Sequence, residues 1–351
     1  MAITLHDKYA KQIAAMFAEK SFVTGRLSDD YDWSGAKTVK VVTPLTVPMN
    51  DYTRTGTNRY GEPVEMQDIV QEMTLTQDKS FALTIDKGNN ADQSGLKAAG
   101  KMLALQIAER AVPTMDAYVL DRLANLAGRI VGNEEALTTA NICERISEGT
   151  LALDDGEVPQ EGRTLFVSNA TYKLLKHSDE FLAIDELGQA ALCKGQVGQY
   201  DNMAVVKVPL GRWPKHVNFM LVYKNSATAP VKLNDTRLHQ DPPGISGNLL
   251  EGRQYYDCFV FGARCEGVYV EVDTAQGKGE VAKTPTISSA GAITCATSGA
   301  SIRYTTDGTD PRYSPTAKTG AQSDVTATGT VVRAYAYKEG IYPSALAEMT
   351  L

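Results

Sequence analysis

From about Asn90 to Gly128 the sequence carries one long amphipathic run, and the rest of the chain has to accommodate it. Apolar residues recur at Leu96, Leu103, Ile107, Ala111, Met115, Tyr118, Val119, Leu123 and Leu126. Gaps of three, four and seven place them on one face of a helix. Lys97, Lys101, Glu109, Asp116 and Asp121 fall mostly off that stripe. Asn90, Asp92 and Ser94 offer N-cap oxygens ahead of it, and Gly128 is the expected stop. Pro113 lies inside the run and predicts a kink or break near Val112. A continuous helix would be on the order of 55 Å long. That is long for a globular core and suits a spine against which other layers are laid.

The flanks read differently. Ile3 to Phe22 predicts a short helix with Ile13, Met16 and Phe17 as its stripe, followed by a polar, turn-rich stretch over Gly25 to Ala36. A tethered terminal helix docks either on its own domain or on a neighbouring subunit. Thr38 to Val47 alternates as a strand, Met49 to Pro63 is polar, and return strands are expected at about Val64 to Thr76 and at Ser80 to Asp86. An isolated ribbon of this kind is marginal in water. It therefore lies against another surface, either a neighbour's or its own sheet.

Beyond the spine, helices are expected at Thr138 to Leu153 and at Asn169 to His177, the latter capped by Asn169. Strands are expected at Arg163 to Ser168, Ala204 to Pro209 and Phe219 to Tyr223. Together they describe a mixed α/β subdomain from about 130 to 250. Gln254 to Val272 is rich in strand formers, bent near Ala263 to Glu266, and is expected to pair beside the spine. Thr274 to Thr284 reads as a linker of small and charged residues. The remainder is rich in Thr, Ser, Ala and Gly. Short strands are expected at Thr286–Ser288, Ala292–Ala296, Ser301–Thr306, Thr330–Tyr337 and Ala345–Leu351, a small β-sandwich by pattern.

The chain has 351 residues, enough for two domains or for one large and one small. Its net charge of −7 argues against a protein whose main task is coating nucleic acid, although a local basic patch stays open. There is no secretory h-region and no apolar run long enough for a bilayer, so folding in a cytoplasm without a membrane partner is expected. The five cysteines, Cys143, Cys193, Cys258, Cys265 and Cys295, form no CxxC pair, which favours free buried thiols over a zinc site.

No GxSxG, Walker, HExxH or GxGxxG motif occurs. The pairs Asp29-Asp30, Glu134-Glu135 and Asp154-Asp155 read as solvated turn residues, and Asp307-Gly308-Thr309-Asp310 as a β-turn rather than a calcium loop. No catalytic, cofactor-binding or metal residue is assigned, and no cofactor is expected. Arg54 and Arg59 in the wet tip suit contact with nucleic acid or with an acidic neighbour, with loop solubility as the alternative.

The order of tethered helix, β-excursion, "DKSFALTIDKGNNAD" into the spine, mixed α/β subdomain and "QYYDCFVFGARCEGVYVEV" resembles the major capsid protein of tailed bacteriophages, the HK97-like fold. The resemblance covers residues 1–273 and implies an α+β fold class. It implies an N-arm at 1–35, an E-loop at 36–87, a peripheral domain at 88–134 and 251–273, and an axial domain at 135–250. Some members carry a scaffolding segment ahead of the arm; here scaffolding would be removed or separate. The implied inter-subunit contacts at the E-loop tip are Tyr52, Arg54, Arg59 and Tyr60.

After the linker at 274–284, "SIRYTTDGTDPRYSPTAKTG" and "TVVRAYAYKEGIYPSALAEMTL" are similar to the Ig-like module at the ends of chitobiase-type glycoside hydrolases. The matching residues are Ile302, Tyr304, Thr305, Asp307, Gly308 and Pro311, then Val332, Ala334, Tyr335, Ala336, Gly340 and Ser344. In enzymes that module is a non-catalytic accessory, here spanning 285–351. The resemblances together imply a non-enzymatic shell subunit with an outward-facing Ig-like domain. Its implied partners are copies of itself in hexamers and pentamers, a portal, a separate scaffolding protein and packaged double-stranded DNA bound without sequence specificity. Cell-surface glycans are a further candidate through the C-terminal domain. The implied location is the virion, with host cytoplasm during assembly. An encapsulin-like nanocompartment shell and a secreted carbohydrate-binding or glycoside hydrolase accessory protein are the alternatives.

Overall fold

The computed structural model describes residues 21–31, 33, 37–44, 49–63, 65, 68–92, 98–178, 196–320 and 329–351. Most of the helix expected at 3–22, the stripe residue Leu96 and Cys193 lie outside them. Strands β1 (Thr38–Pro44) and β2 (Asp68–Thr74) form an antiparallel ribbon, in register from Thr38 opposite Thr74 to Pro44 opposite Asp68. Val41, Met73 and Leu75 bury one side of its root against Trp33, Phe259 and Phe261. Strand β3 (Gln77–Asp86) does not extend this ribbon and pairs elsewhere.

The spine begins after a short helix α1 (Lys87–Asp92), with α2 (Ala99–Gln106), a π turn at Ile107–Ala111 and α3 (Val112–Asn125). Ala99 to Asn125 runs about 40 Å. The break expected near Val112 takes the form of the π turn that ends there. Pro113 has no N–H to give to an earlier carbonyl, and a wider turn just ahead of it absorbs the mismatch without parting the helix. The apolar stripe is fully buried only in the second half, at Val119, Leu120, Leu123 and Ala124. No residue of α2 or the π turn is buried, and Leu103 and Ile107 are half-exposed. Asp116, expected off the stripe, is buried.

The chain continues with β4 (Arg129–Asn133), α4 (Ile142–Asp155), β5 (Arg163–Ser168), α5 (Asn169–Lys176), β6 (Gln196–Tyr200), β7 (Met203–Val208) and β8 (Val217–Tyr223). It then forms β9 (Ala227–Thr228), β10 (Val231–Gln240), β11 (Gly247–Tyr256), β12 (Phe259–Val260) and β13 (Val268–Asp273). The cap of α5 is Ser168, not Asn169: its Oγ accepts from the Thr171 amide at 3.0 Å.

Among the described residues, six strands form one mixed sheet in the order β4-β13-β8-β5-β7-β6. Alternate residues serve two cores. Phe166, Met220 and Val270 face α3 with Val119, Leu120 and Leu123. Leu165, Val167, Phe219 and Leu221 face α4 with Ile142, Ile146 and Leu153. Burial on both faces explains why these strands read as continuous apolar runs. Gly149 lets α4 approach closely, since a Cβ there would stand 2.7 Å from Leu221 Cδ1.

The strand-forming stretch at 254–272, expected in one sheet beside the spine, is divided among three, with β12 paired to β9 in a sheet of its own. Strand β11 lies between β10 and β3, whereas β13 is central in the large sheet, parallel to β4 and antiparallel to β8. The tight turns at Gly262–Gly267, interrupted by Arg264 at φ −129°, carry the chain from β12 into β13 of the large sheet.

The C-terminal module has strands at its five expected places, β14 (Thr286–Ile287), β15 (Ile293–Thr294), β16 (Ser301–Thr305), β18 (Val331–Tyr337) and β19 (Ala347–Thr350), and one that was not expected, β17 (Lys318–Thr319). Strands β14 and β15 form one sheet and β17-β16-β18-β19 the other. Between them lie Ile293, Ile302, Val332 and Ala334. The stretch at 274–284 is not a free linker. Ala275 and Ala282 are buried, and the Ala282 amide donates to the Tyr342 carbonyl at 2.9 Å.

Candidate inter-subunit surfaces

The tip at 49–63 is a self-contained turn. Gly56 and Gly61 have φ of +91° and +85° and Asn58 has φ of +57°, which lets the chain reverse. The Thr53 amide donates to the Arg59 carbonyl at 3.0 Å, and Arg59 Nε donates back to the Gly56 carbonyl at 3.3 Å. The rings of Tyr52 and Tyr60 meet edge to face, 5.0 Å between centroids. Tyr60 is 86% exposed, Tyr52 51% and Met49 99%. The structure thus brings Tyr52 against Tyr60 and folds Arg59 onto the turn, while Arg54 is exposed.

The root of the ribbon is as firm as the tip is free. Asp257 accepts four hydrogen bonds. The Thr76 amide and hydroxyl reach Oδ2 at 2.8 Å each, and the Tyr118 hydroxyl at 2.7 Å and the Cys258 amide at 2.8 Å reach Oδ1. Burial and then the bond to Asp257 push the Tyr118 phenol up to about 12. Gln71 Nε2 donates to the Val260 carbonyl and its Oε1 accepts from the Gly262 amide, both at 2.8 Å. Trp33 stacks on Phe259 at 5.3 Å. The sequence reading singled out neither Asp257 nor Gln71. The available signal was an acid set among strand formers in "QYYDCF", since a buried carboxylate has to be paired.

A second anchor holds the start of the described chain. Asp116 on α3 accepts from the Ser21 hydroxyl at 2.6 Å, the Phe22 amide at 3.1 Å and Arg212 at 2.9 Å. The Arg212 guanidinium lies over the Phe22 ring at 5.1 Å. In the large sheet, Glu271 accepts from Asn218 at 2.8 Å and Arg145 at 3.2 Å. Burial pushes the Glu271 carboxyl up, and these two donors oppose that shift. Among the described residues no group of three or more His, Cys, Asp or Glu side chains is placed to hold a metal ion. No described helix is long and apolar enough to cross a membrane.

Among the described residues, side chains of the module bond the body at two places. Arg312 donates to the carbonyls of Ala127 and Gly128 at 3.0 and 2.7 Å, and the Tyr313 hydroxyl donates to that of Leu126 at 2.5 Å. Tyr342 reaches the Lys215 carbonyl at 2.6 Å.

Comparison with known proteins follows the same division. Residues 279–348 match the chitobiase/beta-hexosaminidase C-terminal domain family. No curated protein sequence matches the chain. Among solved structures it is similar to one from Mycobacterium phage Che8, at 15% identity and a TM-score of 0.58, covering 78% of this chain and 98% of that one. The capsid structure of the cyanophage P-SCSP1u gives 12% identity and a TM-score of 0.60, covering 77% of this chain and 93% of that one. The asymmetric unit of the bacteriophage PhiM1 mature capsid gives 12% and 0.57, covering 78% and 92%. The body of the chain therefore has the α+β fold of these phage capsid structures, and its C-terminal end carries a chitobiase-type Ig-like module.

Proposed function

We propose that the chain is a major capsid protein, a subunit that assembles with copies of itself into the hexamers and pentamers of an icosahedral shell around double-stranded DNA. The observation that carries this reading is coverage: the body spans 92–98% of the three phage chains compared above, so it corresponds to nearly a whole shell-type subunit and not to a shared fragment. The exposed tip agrees with it. A ribbon anchored at its root and bearing solvent-exposed Tyr52, Arg54, Arg59 and Tyr60 is built to reach a surface outside its own subunit. Many such contacts repeated over a closed shell give stability that one contact could not. In this reading the role is structural, with no catalytic site of its own, and the location is the virion after assembly in host cytoplasm. A portal and a separate scaffolding protein are partners of assembly, and packaged DNA is met without sequence specificity.

The test is self-association of the purified full chain, by light scattering and negative-stain microscopy across a concentration series, with and without a scaffolding partner. Capsomers, shells or tubes are expected. A monomer that persists at high concentration in both conditions would sink the reading.

A further inference from the structure

We propose that the C-terminal module is a clamp on the body: it completes the C-terminal end of the spine helix and locks that end to the turns at Gly262–Gly267. This goes beyond the shell-forming reading and does not rest on it. A helix leaves its last carbonyls without intrahelical donors. At the end of α3 the carbonyl of the C-cap Leu126, and just beyond it those of Ala127 and Gly128, are met by side chains from the module, 184 to 187 residues away in sequence.

The usual local solution is absent. Gly128 is not in the left-handed conformation of a glycine cap. It is required for another reason, since a Cβ there would stand 2.1 Å from the Cys265 carbonyl oxygen. Arg312 supplies the donors instead. Its side chain is 5% exposed and is oriented by Asp310, with Nε to Oδ1 at 3.0 Å and NH2 to Oδ2 at 2.6 Å. A cation at a helix C-terminus is also favoured by the helix dipole. Burial pushes the Tyr313 phenol well up, which keeps it a donor. Its side chain covers Gly262, where a Cβ would lie 3.0 Å from Tyr313 Cβ.

The second contact prevents rotation about the first. Tyr342 belongs to the body's core cluster, its hydroxyl bonds the Lys215 carbonyl, and its amide donates to the Glu280 carbonyl at 2.9 Å. None of Arg312, Tyr313 and Tyr342 belongs to the module's own core. A module that merely hung from the body would have no reason to bury them.

The test uses the full chain with Arg312→Ala combined with Tyr313→Phe, read by native-state hydrogen exchange over residues 122–130 and by thermal melting. We expect exchange there to accelerate about tenfold or more, and the melt to fall by several degrees or split in two. Arg333→Ala is the control. It removes the same charge from an exposed pair with Glu348 inside the module, and it should leave exchange at 122–130 unchanged. Wild-type exchange and melting in the double variant would make the module a passenger. An Arg333→Ala effect equal to that of the double variant would reduce the result to general loosening of the module, which also overturns the clamp. If the double variant does not fold, Arg312→Lys decides. It keeps the charge without the fork and should give intermediate acceleration, whereas wild-type behaviour refutes the proposal.

Discussion

Asp116 and Arg212 form an ion pair 2.9 Å long with the Asp116 side chain wholly buried, and the same carboxylate receives the Ser21 hydroxyl and the Phe22 amide. One acid on the spine thus fixes both the turn after β7 and the point where the amino-terminal segment meets the body. Asp116→Ala takes one acceptor from the buried Arg212 guanidinium and strips the Ser21 hydroxyl and the Phe22 amide of theirs. We expect it to lower stability by about 3–5 kcal/mol, measured by urea unfolding of the dissociated subunit. Proteolysis around 21–27 should also quicken. A loss below about 1 kcal/mol would mean that the pair behaves as a solvated surface bridge.

Asp257 plays the equivalent part for the ribbon. Asp257→Ala strips four donors of their acceptor at once, two of them on Thr76 where β2 gives way to β3. Thr76 is exposed and water can replace its acceptor, but the Cys258 amide is buried and an unsatisfied buried donor costs about 1–3 kcal/mol, so the variant should be destabilised by about that much. Asp257→Asn keeps one acceptor oxygen and should fall between. Unchanged melting in Asp257→Asn and Asp257→Ala would show that solvent replaces the carboxylate.

Alkaline pH should weaken the same region. Burial holds the Cys258 thiol up at about 12 from an ordinary 9.0, and burial with the Asp257 bond holds the Tyr118 phenol at about 12 from 10.0. Both groups bind their protons more tightly folded than unfolded. Their contribution is whole below about pH 9 and is lost as pH climbs toward 12. Stability measured by denaturant should decline across that window, and Tyr118→Phe should flatten the decline between pH 10 and 12.

The two halves of the spine should respond differently to charge. Leu123 is wholly buried, and Leu123→Asp should give insoluble or unfolded protein. Leu103 is half-exposed in the subunit, so Leu103→Asp should leave a folded monomer with a loss of about 1 kcal/mol. Equal loss of solubility in both variants would put Leu103 in a core that the single subunit does not show.

Deleting Tyr52 to Gly61 removes a tip whose hydrogen bonds are largely its own and whose tyrosines touch each other. Subunit melting should hardly change, and assembly should be impaired. Normal shells from the deletion would count against the inter-subunit role of the tip.

Local period carried much of this fold. The spine, the alternation at β1, the buried run of β5 and the short strands of the module were legible because each depends on neighbours within a few residues. The wet tip was legible too, since glycine, asparagine and charge specify a turn without help from elsewhere. Partners distant in sequence were not legible. Asp116 looks like one more charge beside an apolar stripe until Arg212 is placed against it, and Asp257 looks like a strand interruption until Thr76 and Tyr118 arrive.

The tertiary structure alone decided three matters. It split the strand-rich stretch at 254–272 among three sheets, because β11, β12 and β13 satisfy the same residue preferences and only their available partners differ. It left the first half of the stripe half-exposed, because a helical period says which face is apolar and not what covers it. It docked the module, because Arg312 reads as a surface arginine in its own segment and acquires its burial only from carbonyls at the far end of the spine. Local patterns arise from short-range sterics and solvation, whereas desolvated charges are paired by the whole chain.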